Sequence, residues 1–279
     1  MLYTKIITIL IPAILFNFIL DNFIIFKRND IKLQDPKEAS NLFWSEDFDK
    51  EGLVDTAYWS YDEGDHGWGN NELQYYTKSN KENAVVENGI LKITAKKDGS
   101  LPKGYSSARL VTKNKIFRKY GYIEVRAKLP QGLGTWPAIW MLPEENKYGG
   151  WPSSGEIDIM EHVGYDPGNV HGTVHTLAFN HTRGTQKGKI EEVPTFAESF
   201  HLYAIDWQAD KIDFYIDGKW YHTFENTKNG FEEWPFDHEF HLILNLAVGG
   251  NWGGAKGIDE NIWPQTLEID YIRWYFQKP

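Results

Sequence analysis

The sequence predicts an all-β fold, an antiparallel β-sandwich with an open groove on one face. Three observations carry this. From Leu42 onward the chain is built of short runs that alternate apolar and polar residues; turn residues separate the runs; and long helical periodicity is absent beyond the N-terminal segment. Gly121–Lys128 sets Tyr122, Glu124 and Arg126 against Ile123, Val125 and Ala127, the pattern of a half-buried strand. Leu202–Trp207, Lys211–Ile216 and Lys219–Phe224 form a second group, the last two joined by Asp217–Gly218, a pair suited to a two-residue hairpin turn. His241–Val248 and Leu267–Phe276 read as two more strands. If the two sheets curve, one face becomes a trough long enough for a polymer.

Residues 1–26 stand apart. Lys5 precedes an apolar run from Ile6 to Leu20, which resumes at Phe23–Phe26 before Lys27 and Arg28. This reads as a signal peptide or an N-terminal anchor: no small-x-small cleavage site is obvious, whereas Asn17, Asp21 and Asn22 interrupt the span an anchor would need. Residues 27–41 are polar, contain Pro36, and read as a linker; residues 42–279 form the domain. The expected location is therefore secreted, periplasmic or at the cell surface, with membrane contact only if the N-terminal segment stays uncleaved.

Composition excludes several classes. A net charge of −10 argues against nucleic acid, whose phosphates need a basic surface, and disfavours heavily sulfated polymers. The absence of cysteine removes disulfides, zinc–thiolate sites and thiol nucleophiles. Twelve Trp and 15 Tyr are unusually many; most suit a β core, and flat rings are also natural platforms for sugars.

The most informative segment is Gly155-Glu-Ile-Asp-Ile-Met-Glu-His162. Alternation sends Glu156 and Asp158 to one face and would send Glu161 into the core, where an unpaired carboxylate is costly. One extra residue near Ile159–Met160, a β-bulge, returns Glu161 to the acidic face. Like charges so arranged destabilise a strand. Retaining glycoside hydrolysis supplies a reason, because it needs two carboxyls about 5–5.5 Å apart. Regular strand geometry would separate them by about 13 Å of backbone, so bending and long side chains must close the gap. Glu156 then reads as the ionised nucleophile, Glu161 as the acid/base with raised pKa, and Asp158 as the group that fixes Glu156. A solvated acidic edge or a divalent-metal site would share the six-residue pattern.

Further ordered motifs accompany this segment: Trp44-Ser-Glu-Asp-Phe48, Gly67-Trp-Gly-Asn-Asn-Glu-Leu-Gln-Tyr75, Ser107-Ala-Arg-Leu110, Trp136-Pro-Ala-Ile-Trp-Met-Leu142, His171-Gly-Thr-Val-His175, Gly249-Gly-Asn-Trp252 and Ile269-Asp-Tyr-Ile-Arg273. With them the chain closely resembles glycoside hydrolase family 16, in particular its laminarinase-like endo-1,3-β-glucanases, from Leu42 to Phe276. The resemblance implies a β-jelly-roll with an open cleft, retention of anomeric configuration, and the same three acids in the same roles. It places Trp136 and Trp140 in the cleft, Trp252 on the donor side, Asn70 and Arg109 on sugar hydroxyls, and His175 on the leaving-group side with His171 as its rival. It also places Asp47, Gly89 and Asp270 where relatives hold a structural calcium, although salt-linked aspartates would read alike. No cofactor is expected for catalysis. The expected substrate is a neutral β-1,3- or mixed β-1,3/1,4-glucan and the expected state a monomer. An algal galactan (agarase- or carrageenase-like chemistry), a transglycosylase and a non-catalytic glucan-binding protein are the competing readings.

Overall fold

In the computed structural model, which describes residues 40–279, the alternating runs become strands. They are β1 (Leu42–Glu46), β2 (Ser60–Asp62), β3 (Gln74–Tyr76), β4 (Ala84–Glu87), β5 (Ile90–Lys97), β6 (Tyr105–Ser107), β7 (Arg109–Val111), β8 (Phe117–Arg118) and β9 (Gly121–Lys128). The second half contributes β10 (Thr135–Pro143), β11 (Glu156–Glu161), β12 (Asn169–His175), β13 (Lys187–Glu192), β14 (His201–Trp207), β15 (Lys211–Ile216), β16 (Lys219–Glu225), β17 (Phe240–Val248) and β18 (Gln265–Tyr275). The expected signal or anchor, and residues 27–39 of the expected linker, lie outside the described residues. Among the described residues no helix is long and apolar enough to cross a membrane.

Two sheets form. A ten-stranded sheet runs β16-β15-β14-β9-β18-β5-β6-β3, with β1 on β18 and β4 on β5. An eight-stranded sheet runs β13-β12-β11-β10-β17-β7-β2, with β8 on β17. Pairing is antiparallel except between β3 and β6, which the alternation pattern could not foretell. Asp217 and Gly218 both take positive φ (50° and 75°), the hairpin geometry their chemistry favours.

The core lies between the inner faces. Ile139 and Met141 of β10, Ile157 of β11, and Leu242, Leu244 and Leu246 of β17 pack in one buried cluster with Ile123 and Val125 of β9, Ile205 of β14, and Ile269 and Ile272 of β18. Each such side chain contributes roughly 1.5–3 kcal/mol, so a strand carrying both these residues and acids has one permitted orientation. Gly172 shows how closely this layer approaches the site: a Cβ there would meet the Tyr221 hydroxyl at 2.2 Å and the Phe214 ring at 2.7 Å.

Candidate active site

The bulge expected near Ile159–Met160 is present. Against β12, Asp158 pairs with Thr173 and Glu161 with His171, three steps on one strand for two on the other. Against β10, Asp158 pairs with Trp140 and Met160 with Ile139, which isolates Ile159 as the extra residue. Ile157, Ile159 and Met160 are all buried in the core. Glu156, Asp158 and Glu161 are thereby gathered on the outer face of the eight-stranded sheet.

Each glutamate accepts an indole hydrogen bond. Trp136 Nε1 donates to Glu161 Oε1 at 3.0 Å, and Trp151 Nε1 donates to Glu156 Oε2 at 2.9 Å. His175 Nε2 lies 3.3 Å from Asp158 Oδ2 and 3.6 Å from Glu156 Oε1. Burial raises the carboxyls of both Glu156 and Glu161 to about 8; the Asp158 charge adds to the rise at each, while His175 and the indole donors oppose it. Asp158, 2% exposed, is pushed well above its usual range by burial. The two glutamates keep a partly open edge, so water weakens the effect of burial on them compared with Asp158.

The sequence anticipated a raised Glu161 and an ionised Glu156. The structure raises both, because the two share one acidic, poorly hydrated surface and titrate as a coupled pair. His175, 3.6 Å from Glu156, favours the first charge at that end. This position sets His175 at the Glu156 end of the site. The bulge resets the β11–β12 register so that His175 stands opposite Glu156, and His171 opposite Glu161.

The β10–β17 register is unbroken from Thr135 to Pro143, so Trp136 and Trp140 share the outer face. Trp140 Nε1 donates to Asn245 Oδ1 at 2.7 Å. The Arg109 guanidinium lies over the Trp140 ring at 4.8 Å and the Trp68 ring at 4.9 Å, while its Nε faces Asp62 at 2.9 Å. One face of Trp140 is therefore covered by Arg109. A recess of about 300 Å³ continues past these groups, lined among others by Asp62, Arg109, Lys113, Trp151 and His241.

Asn70 sits in the Gly67–Leu73 loop, where its carbonyl accepts from Asn251 N at 2.7 Å, tying that loop to the glycine-rich turn that carries Trp252. Trp252 packs edge-on against Trp136 (5.5 Å) and His171 (4.9 Å), at the Glu161 end of the site rather than beside Arg109. Gly253 makes this fold-back possible, since a Cβ there would meet the Trp136 Cβ at 2.8 Å.

Three residues escaped the sequence reading. Trp151 and His181 lie 5.0 Å apart beside His175; Trp151 comes from a turn and His181 from the 3₁₀ turn His181–Arg183, neither with a periodic pattern to mark it. Glu72 is buried beneath Asn70, and only its place within the Asn-Asn-Glu-Leu-Gln run hinted at it.

Of the three residues expected at a calcium site, two carry salt-linked carboxylates. Arg273 donates to Asp47, and Arg126 donates to Asp270, so each carboxylate already has a cationic partner. Asp270 interrupts the β18–β9 register, which turns its backbone out of the ladder, and Gly89 occupies the positive-φ turn between β4 and β5. The carbonyls of Asp47 and Gly89 remain chemically suited to a hard cation. A second group, Glu156, Asp158 and His175, brings donor atoms within 4.8 Å of one another.

The family described as Glycosyl hydrolases family 16 matches residues 71–273. The chain belongs to that family. This family 16 chain is 52% identical over 241 residues to a β-glucanase of Rhodothermus marinus, covering 84% of each protein. It is 39% identical over 281 residues to glucan endo-1,3-β-glucosidase A1 of Niallia circulans, covering 89% of this chain and 40% of that protein. The solved laminarinase of Rhodothermus marinus superposes with a TM-score of 0.83 at 50% identity, covering 86% of this chain and 98% of the other. The jelly-roll expectation agrees with that superposition.

Proposed function

We propose that the protein is an endo-acting, retaining β-glucanase that cleaves β-1,3-glucan or mixed β-1,3/1,4-glucan. The observation that carries this is the bulged β11, which turns two glutamates to one surface and gives each an indole donor. The relatives named above are a β-glucanase, a glucan endo-1,3-β-glucosidase and a laminarinase.

In the proposed reaction ionised Glu156 attacks the anomeric carbon while protonated Glu161 gives its proton to the departing glycosidic oxygen. A glycosyl ester on Glu156 results. Glu161, now ionised, takes a proton from water, which attacks the same carbon and frees Glu156 with the starting configuration restored. Asp158, raised by burial and 3.3 Å from His175, would help to orient Glu156. Arg109, Trp140 and His175 would contact the sugar on the Glu156 side, and Asn70, Trp136 and Trp252 would frame the other end.

The neutral-substrate reading draws on the recess beside Arg109, where Asp62 matches the arginine. The other cation lining it, Lys113, interacts with Glu144, so neither stands unopposed for the sulfate of a galactan. The experiment is a panel of laminarin, lichenan, agarose and carrageenan with products sized and early anomers resolved. Cleavage of laminarin to short oligomers with β-configured first product is expected. Agarose cut while laminarin stays intact would overturn the substrate, and an initial α-anomer would overturn retention.

Structural calcium at Asp47, Gly89 and Asp270 is part of the proposal. Chelation should lower the melting temperature reversibly while leaving activity at low temperature intact. Immediate loss of activity at unchanged melting temperature would instead put a metal at Glu156, Asp158 and His175. Export as a monomer, directed by residues 1–26, is also proposed; N-terminal sequencing and light scattering of the mature protein test it.

A further inference from the structure

Glu72 is a buried carboxylate that the reaction above does not use. Its Oε2 accepts from Gln74 Nε2 at 2.6 Å and from the Tyr76 hydroxyl at 3.3 Å, and its Oε1 faces Asn70 Nδ2 at 3.5 Å. Tyr76, fully buried, in turn accepts from Asn245 Nδ2 at 3.0 Å, and Asn245 Oδ1 accepts from Trp140 Nε1 at 2.7 Å.

The direction of this chain is fixed at both ends. An indole N–H can only donate, so Asn245 must turn its oxygen to Trp140 and its amide hydrogens to Tyr76. With its oxygen accepting, Tyr76 directs its proton to Glu72. Gln74 has no choice either, because its Oε1 is taken by the Val248 backbone N–H at 2.7 Å. Every donor therefore points inward to one acceptor, and only a carboxylate accepts them all without offering a hydrogen back.

We propose that Glu72 is a positioning residue for the sugar-binding surface: an acceptor that fixes the Trp140 indole through Tyr76 and Asn245, and holds the Asn70 amide directly. This rests on the reading that Asn70 and Trp140 contact glucose. Neither end of the relay touches the reacting carbon, so its loss should weaken substrate capture and spare the chemical step. Burial raises the Glu72 carboxyl, while Gln74, Arg109, Asn70 and Tyr76 draw it back. Preserving the acceptor thus depends on keeping those donors.

The test uses the full chain with the β-glucan that the wild-type protein cleaves, which separates failure of the relay from failure of the substrate assignment. Glu72→Gln sets an amide N–H₂ against Asn70 or against Tyr76. Tyr76→Phe removes the middle link with little change of shape. Each is expected to raise KM about fivefold, the worth of one hydrogen bond of about 1 kcal/mol, with kcat of Tyr76→Phe within twofold of wild type; Glu72→Gln also removes a charge that raises Glu161, so its kcat is compared at each variant's own pH optimum. The Tyr76→Phe effect should vanish when Trp140 is already Phe. An unchanged KM in both single variants, a fall in kcat at constant KM, or an undiminished Tyr76→Phe penalty in the Trp140→Phe background would overturn the proposal.

Discussion

On the outer face of the ten-stranded sheet, Asp206 and Asp213 stand directly opposite one another across β14 and β15, and Lys211 bonds Asp213 at 2.6 Å. Nearby, Lys128 meets Glu268 at 2.8 Å and Arg126 meets Asp270. On the outer face of the eight-stranded sheet, Glu156, Asp158 and Glu161 crowd one strand with His175 as their neighbouring base and two indoles as donors. Both faces bring acids together, but the ion pairs of the first have no counterpart at the Glu156–Glu161 cluster of the second, whose arginine, Arg109, faces Asp62 instead. The difference teaches where the fold tolerates electrostatic cost: acids that need only be soluble are matched, and acids that must exchange protons are left with neutral donors.

Breaking the unmatched cluster should have the largest effect. Glu156→Ala is expected to abolish turnover while substrate binding persists, and Glu161→Ala to lose about 10²–10⁴-fold in kcat, both read by reducing-sugar release. Full activity in either variant would remove that residue from the mechanism.

The same cluster should cost stability, with a defined sign. Glu161 in the folded state is raised from 4.5 to about 8, so across that interval the native protein holds a proton the unfolded chain has released. Its contribution to stability is present below about pH 4.5 and is lost as pH rises towards 8. Glu161→Gln should therefore raise the melting temperature by about 2–4 °C per kcal/mol recovered, more at pH 8 than at pH 5. Equal gains at both values would show that the charge is not the cause.

Trp136→Phe sharpens the comparison further. The lost indole donor favoured ionised Glu161, so the alkaline limb of the activity profile should move to higher pH, by up to about one unit. The smallest effect belongs to the matched face. Arg126→Ala should cost no more than about 1 kcal/mol and leave kcat unchanged, as calorimetry and kinetics would register.

The fold was legible wherever one face is buried and the other wet. Gly121–Lys128 and Lys211–Ile216 alternate so regularly that their strand ends match the sequence reading. The bulge was legible because regular alternation would have buried Glu161, a contradiction that only an inserted residue resolves. What stayed hidden depends on contacts between distant segments. Trp151 reaches Glu156 from a loop whose course no local pattern dictates. Glu72 reads as an ordinary charged residue until Tyr76 and Asn245, 169 positions apart, are seen to meet above it. Arg273 and Asp47 are 226 positions apart, so a salt link and a cation site could not be told apart from sequence.

The single surplus residue in β11 also makes the outcome of a deletion depend on where it falls. Removing Ile159 would leave Asp158, Met160 and Glu161 in plain alternation, so the acids would keep one face and the core would lose one aliphatic side chain. Removing Ile157, equally buried but in the regular part of the strand, would set Glu156 and Asp158 on opposite faces. An alignment that scored only residue types would rate the two deletions alike; the backbone would not.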